Sequence, residues 1–251
     1  MYNIAVILAG GIGARVGGTL PKQLLPLADG RSVLEHAVSA FEQADCIDEV
    51  CIVMHPDYIM HAEQMLLANA WQKVRHIIPG GKERWESSVN AIRAIMNQEN
   101  SLPFREGMGV GILLHDAARP FVSQEIIANV CEALKEHEAV VVAIPSTDTV
   151  YEMKDGKVAR IPNRATIMRA QTPQAFRLEL IAEAYAKALP HLFNTQLGGK
   201  EGVLSSPLLG GVEGGFPTDD CGIVHEHMPN VPIHIVLGEE QNKKITFKED
   251  I

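Results

Sequence analysis

The chain has 251 residues, 46% of them apolar, and a net charge of −9. That length gives ample core for one large domain or two small ones, and the apolar share excludes disorder throughout. The acidic balance excludes a general nucleic-acid binder, whose affinity comes largely from Lys and Arg on phosphates. An acidic protein that binds an anionic nucleotide must gather its cations locally or recruit a metal.

No apolar run approaches the length of a membrane span. Met1-Tyr2-Asn3 has no basic stretch before the first apolar run, so no secretory signal and a cytoplasmic location are expected. Cys46, Cys51, Cys131 and Cys221 show no CxxC spacing and read as buried free thiols, ahead of disulfides or zinc.

The first element is Ile4-Ala5-Val6-Ile7-Leu8, an apolar run that predicts a buried strand. It runs into Leu8-Ala9-Gly10-Gly11-Ile12-Gly13-Ala14-Arg15, followed by Leu20-Pro21-Lys22-Gln23. Glycines at 10, 11 and 13 let several N–H groups approach an anion, because no Cβ stands in the way. Arg15 and Lys22 add fixed positive charge. Such a loop at a strand's carboxyl end suits a nucleoside triphosphate; a plain strand-to-loop turn is the alternative. A Walker A loop fits less well, because Gly13 is followed by Ala14-Arg15, and Val16 stands where a dinucleotide fingerprint needs its third glycine.

Apolar spacing predicts helices over 33–41, 61–70, 84–96 and 124–137. Short apolar runs predict strands over 49–54, 74–78, 110–114 and 139–144. This alternation predicts an α/β fold, a mostly parallel sheet with helices on both faces. Ligands of such a sheet sit beyond the carboxyl ends of its strands. Gly10 to Arg15, Gly80-Gly81, His115-Asp116 and Pro145 all fall there.

After Pro145 the rhythm changes. Residues 148–153, a turn at Lys154-Asp155-Gly156 and residues 157–161 read as a projecting β-hairpin. A lone hairpin is marginal in water, so this one packs on something else, a second subunit being one choice. A helix follows over 178–189, then a glycine-rich stretch over 190–217 that reads as a flexible insertion. Thr218 is placed to N-cap a short helix. Residues 233–237 read as a late strand, and Lys244-Ile245-Thr246 as another.

Several groups can carry chemistry. Asp116 at a strand end facing a phosphate pocket suits Mg²⁺, which takes one or two carboxylates plus phosphate oxygens; a helix cap or a structural pair with Arg119 is equally open. Arg84 stands just before a helix, where a cation opposes the dipole. Ser87 and Ser88 in that helix's first turn can read a base or ribose, or be solvated. Arg164 and Arg169 precede Gln171-Thr172-Pro173-Gln174, where Thr172 is held extended by Pro173. Lys243-Lys244 alone would be a solvated face.

Taken together, these segments resemble the 2-C-methyl-D-erythritol 4-phosphate cytidylyltransferase family. The resemblance rests on the 8–15 loop, Pro21-Lys22-Gln23, Gly80 to Arg84, His115-Asp116-Ala117-Ala118-Arg119-Pro120, Asp148-Thr149, Gln171 to Gln174, Thr218-Asp219-Asp220 and Lys244-Ile245-Thr246. They follow the family's order across nearly the whole chain. Ribitol-5-phosphate cytidylyltransferases share most of them.

The resemblance implies a single Rossmann-like nucleotidyltransferase domain over 1–251, with a β-arm at 148–161, working as a homodimer with CTP and Mg²⁺. The reaction implied joins CTP to a polyol phosphate, methylerythritol phosphate first and ribitol phosphate as the alternative. By position, Arg15 and Lys22 would grip the triphosphate, Asp116 would hold Mg²⁺ and Lys244 would lie near the phosphates. Ala9, Gly10, Gly11 and Gly13 belong to the nucleotide loop. Gly80, Gly81 and Ser87 would border the cytosine, with Ala117 near the ribose. Thr149, Arg164 and Thr172 would receive the polyol phosphate, the first two from the partner subunit, and Arg119 would support the Asp116 loop or the acceptor. Ser88 departs from an expected Val, the 190–217 stretch is longer than usual, and the family's final helix has no counterpart before Ile251.

Overall fold

A computed structural model describes residues 1–11, 20–98, 109–193, 217–247 and 250. The strands are β1 (Tyr2–Ala9), β2 (Glu49–Met54), β3 (Val74–Pro79), β4 (Val110–Asp116), β5 (Ala139–Pro145), β6 (Glu152–Lys154), β7 (Lys157–Arg160), β8 (Met168–Arg177) and β9 (Ile233–Leu237). The helices are α1 (Val33–Glu42), α2 (Ile59–Asn69), α3 (Arg84–Gln98), α4 (Gln124–Glu136), α5 (Leu178–Ala188), the single turn α6 (Pro190–Phe193) and α7 (Asp220–His227). Seven strands form one sheet in the order β3-β2-β1-β4-β8-β5-β9, and β6 and β7 pair separately as the hairpin. Every pairing in the large sheet is parallel except those of β8 with β4 and β5.

Strand β1 is an unbroken apolar run from Ile4 to Ala9 because both of its faces are covered. Ala5, Ile7 and Ala9 face one layer, with Leu34, Val38 and Phe41 of α1 and Ile126 and Val130 of α4. Ile4, Val6 and Leu8 face the other, with Ile92 and Ile95 of α3, Ile181 and Tyr185 of α5 and Val224 of α7. Burying each of the Val, Leu, Ile and Phe side chains among them contributes about 1.5–3 kcal/mol. Helix α1 starts at a capping box: Ser32 Oγ accepts from Glu35 N at 3.1 Å, and the Glu35 carboxylate accepts from Ser32 N at 2.7 Å.

Three local expectations need correction. Strand β8 has no counterpart in the apolar pattern, because Arg169, Gln171, Thr172 and Gln174 interrupt it and Pro173 argues against a central strand. The sheet accommodates Pro173 at a register shift between Val141 and Ala143. The N-cap of α7 is Asp219, which accepts from Gly222 N at 2.8 Å, not Thr218. Lys244-Ile245-Thr246 is a loop rather than a strand, held where Ile245 N donates to Ala118 O at 2.8 Å. Most of the glycine-rich stretch, 194–216, lies outside the described residues.

The strand order places the site. From β1 the chain moves outward to β2 and β3, then returns to put β4 on the other flank of β1. The strand order therefore reverses between β1 and β4, whose carboxyl ends form the switch point where open α/β sheets bind ligands.

Candidate active site

A cavity of about 280 Å³ opens at that switch point. Its walls include Ala9, Gly10 and Gly11 after β1, Gly81 and Ser87 around the start of α3, Asp116 and Ala117 at the end of β4, and Lys22 and Lys244 from two loops. Loops distant in sequence meet because three parallel strands end at one level.

Glycine lets the walls touch. A Cβ on Gly80 would lie 2.9 Å from Gly10 Cα, and one on Gly10 would lie 2.7 Å from Ser87 Oγ. A Cβ on Gly81 would lie 2.1 Å from Glu86 Cβ, inside any real contact. Ser87 is buried and its Oγ accepts from Gly81 N at 3.1 Å, which fixes the second glycine pair against α3. Gln23 ties down the first loop: its Nε2 donates to Ala9 O and Gly11 O, both at 2.7 Å.

Asp116 is 8% exposed, and both its oxygens meet cations. Oδ1 accepts from Arg84 Nε at 3.0 Å and Oδ2 from Lys244 Nζ at 2.6 Å. Burial alone would raise this carboxyl, but the Arg84 and Lys244 charges and hydrogen bonds hold it well below the usual carboxylate range. It is ionised at every working pH. Arg84 continues the chain of charge. Its Nη1 donates to Asp220 Oδ2 at 2.5 Å, and Asp220 Oδ1 accepts from Tyr185 OH at 2.7 Å. Asp220 is held in turn from β8, where Gln174 Oε1 accepts from Asp220 N and Cys221 N.

Behind the cavity wall a second network sets the Asp116 backbone. Asp116 N donates to Thr172 Oγ1 at 3.1 Å, and that hydroxyl meets His115 Nδ1 at 3.1 Å. His115 Nε2 lies 3.0 Å from Arg119 O. One tautomer satisfies all of this: Nε2–H donates to the carbonyl, and Nδ1 accepts from the hydroxyl. Burial pushes the imidazole down to about 4, so it stays neutral and the tautomer holds. Arg119 Nη1 donates to Asn242 O at 2.7 Å, and Asn242 Nδ2 donates to Thr172 O at 2.9 Å. These bonds fasten the loop that carries Lys244 to β8.

Among the site residues read from the sequence, Ala9, Gly10, Gly11, Lys22, Gly81, Ser87, Asp116, Ala117 and Lys244 come together around the cavity, with Gly80 packed against Gly10. Arg119 and Thr172 stand behind its wall. Thr149 and Arg164 are exposed near the hairpin and do not line it; Arg164 Nη1 donates to Thr147 O at 3.1 Å. Gly13 and Arg15 lie outside the described residues. The structural partner expected for Asp116 from the sequence is Arg119; its partners are instead Arg84 and Lys244. Gln23, Gln174, Asp220 and Tyr185 are not among the candidates that the sequence offers. Only the two amides and Asp220, inside the quoted Pro-Lys-Gln, Gln-Thr-Pro-Gln and Thr-Asp-Asp segments, carried any signal.

A cavity with a glycine-built floor, two lysines and an ionised carboxylate suits a nucleoside triphosphate whose charge is stabilised as it reacts. Comparison with known proteins agrees. The family model for 2-C-methyl-D-erythritol 4-phosphate cytidylyltransferase (IspD) matches residues 3–196. An enzyme of that name from Thermobifida fusca (strain YX) is 41% identical, over 98% of this chain and 89% of the relative. A bifunctional ribulose 5-phosphate reductase/CDP-ribitol pyrophosphorylase from Haemophilus influenzae is 35% identical over 99% of this chain, which spans 46% of that longer protein. The crystal structure of 4-diphosphocytidyl-2C-methyl-D-erythritol synthase from Anaerococcus prevotii DSM 20548 superposes with a TM-score of 0.74 at 27% identity, over 99% of this chain and 92% of that one. The match over most of the chain, the shared fold and the charged cavity agree: the chain belongs to the 2-C-methyl-D-erythritol 4-phosphate cytidylyltransferase family.

Proposed function

We propose that the protein joins CTP to 2-C-methyl-D-erythritol 4-phosphate, giving CDP-methylerythritol and pyrophosphate for isoprenoid precursor synthesis. Family membership carries the reaction. The observation that supports the site is the convergence of Lys22, Asp116 and Lys244 on one glycine-walled cavity at the sheet's switch point.

In this reading a phosphate oxygen of the acceptor attacks the α-phosphorus in line, and pyrophosphate leaves. The acceptor phosphate is already ionised, so positioning and charge stabilisation matter more than a general base. Lys22 and Arg15 grip the triphosphate, and Lys244 reaches the phosphates from the opposite loop. Gly80, Gly81 and Ser87 border the cytosine, Ala117 the ribose. Thr149 and Arg164 receive the acceptor phosphate, supplied by the arm of a second subunit in a homodimer. Thr172, with its hydroxyl on Asp116 N, takes part by setting the Asp116 loop, as does Arg119.

The donor set fits Mg²⁺ carried in with CTP. A carboxylate offers about four lone-pair positions, of which Arg84 and Lys244 occupy two. Asp116 would therefore be the protein ligand, beside triphosphate oxygens and water. The ion would neutralise charge on the transferring phosphate. Among the described residues no group of three or more His, Cys, Asp and Glu is placed to hold a metal. A cytoplasmic enzyme is proposed; among the described residues no helix is long and apolar enough to cross a membrane.

The test is pyrophosphate release with CTP and Mg²⁺, offering methylerythritol phosphate and ribitol phosphate in parallel. Turnover with the first alone is expected. Turnover with ribitol phosphate alone would keep the chemistry and replace the acceptor. No release with either would overturn the proposal.

A further inference from the structure

The two cations on Asp116 are not equivalent. Lys244 is bound there through its ammonium alone, and its side chain is 39% exposed. Arg84 is 25% exposed and is gripped at two atoms, by Asp116 through Nε and by Asp220 through Nη1. Asp220 is fully buried, and Tyr185 OH, itself in the core, holds its other oxygen. One cation is free to turn towards an incoming phosphate; the other is locked from behind.

The geometry points to Arg84 as a positioning residue of the reaction, clamped by Asp220 and Tyr185 so that Asp116 stays in place when Lys244 moves to the substrate. This rests on the reading of Asp116 and Lys244 given above.

A purely structural role explains the arrangement poorly. Buried ion pairs contribute little net stability, because desolvation offsets their attraction, and apolar replacements are often neutral or better. Here the pairs extend from a carboxylate in the cavity wall to a tyrosine in the α3–α5–α7 layer. Arg84 Nη2 is also buried without a partner among the described residues, an unfavourable feature in a device built for stability. What the chain of contacts does achieve is to fix the angle of one carboxylate. Without Arg84, nothing would hold Asp116 Oδ1 at a fixed angle once Lys244 leaves the other oxygen. A lysine cannot replace Arg84, since one ammonium lacks the planar fork that reaches both carboxylates.

The experiment compares Arg84→Lys, Arg84→Ala, Tyr185→Phe and Asp116→Asn with the parent enzyme. Steady-state kinetics with CTP and methylerythritol phosphate are measured beside CTP binding by calorimetry and thermal unfolding. Arg84→Lys is expected to lower kcat by roughly 10- to 100-fold, the scale of a small misplacement of a catalytic group, with the CTP KM and binding constant changed less than about threefold. Added guanidinium is expected to restore part of the kcat of Arg84→Ala. Tyr185→Phe, which keeps the core's shape, is expected to lower kcat in the same direction by a smaller factor, and it carries the test if the Arg84 variants do not fold. Parent-like kcat in folded Arg84→Lys or in Tyr185→Phe, or a loss confined to KM, would overturn the inference. Full turnover by Asp116→Asn would instead remove the site reading on which it rests.

Discussion

Lys22 and Ile245, 223 residues apart, are joined by a hydrogen bond of 2.7 Å from the lysine ammonium to the backbone carbonyl. The bond closes the cavity by linking the loop after β1 to the loop that carries Lys244. A triphosphate entering between them meets both ammonium groups.

Lys22→Ala is accordingly expected to weaken two things, the positive charge at the phosphates and the hold on the 242–246 loop. Removing one positioned donor costs roughly 3 kcal/mol of transition-state stabilisation, or about 10²- to 10³-fold in kcat/KM. The measurement is kcat/KM for CTP at saturating acceptor. An unchanged value would show that Lys22 serves only to brace Ile245.

The packing of the Gly80-Gly81 loop on α3 makes a sharper structural prediction. Gly81→Ala puts a Cβ 2.1 Å from Glu86 Cβ, and Glu86 cannot retreat easily because its carboxylate accepts from Lys82 N and Glu83 N. Stability should fall by about 1–3 kcal/mol or more, read from urea unfolding, with turnover lost as the loop shifts. Gly30→Ala is the contrast. Gly30 has φ +83° but open space around it, so about 1 kcal/mol of backbone strain is expected with turnover retained. Equal effects on turnover would show that the glycine loops do not shape the site.

Much of this architecture is legible in the residues themselves, and the exceptions share a cause. Strands β1, β2 and β4 read clearly because both faces are buried, so their middle positions form continuous apolar runs. The nucleotide loop reads because glycines and cations lie within one short stretch. Strand β8 is hidden because its buried side chains, Gln171, Thr172 and Gln174, bond to groups elsewhere: Gln174 to Asp219 and the start of α7, Thr172 to Asp116 and His115. Arg84 shows itself only as an odd cation at a helix start. Its meaning depends on Asp220, 136 residues on, and no local pattern carries that pairing. Polar residues that satisfy one another across the fold leave no periodicity.

The four cysteines are free, as their spacing suggested, but they are not alike. Cys51, Cys131 and Cys221 are buried; Cys46 is partly exposed. A hydrogen bond from Cys131 and the charge of Lys73 draw the Cys46 thiol below its ordinary value, while burial pushes Cys51 and Cys221 up. One thiol per native chain should therefore react quickly with iodoacetamide. Because the thiolate is the nucleophile, the rate should rise with pH and level off below the usual ~8.5. Cys46→Ser should abolish this fast phase. A fast phase that survives the substitution would place the reactive thiol elsewhere.

The hairpin supplies the last prediction. Met153 pairs with Val158 across β6 and β7, and both are exposed, as are Val150, Tyr151 and Ile161 beside them. A two-stranded ribbon with bare apolar side chains is marginal alone, and a second copy of the chain would cover them. Met153→Glu with Val158→Glu should convert a dimer to a monomer, seen by light scattering. If the dimer shares its sites, Thr149 and Arg164 of one chain serve the cavity of the other. Asp116→Asn and Arg164→Ala would then each be nearly inactive alone. In a mixed dimer of the two, both defects fall on one site and the other site is intact. Random exchange makes half the dimers mixed, so about a quarter of parent activity should return on mixing. Recovery on that scale would establish that the acceptor phosphate is bound across the interface. No recovery, in a preparation that light scattering shows to be dimeric and exchanging, would confine each site to one chain.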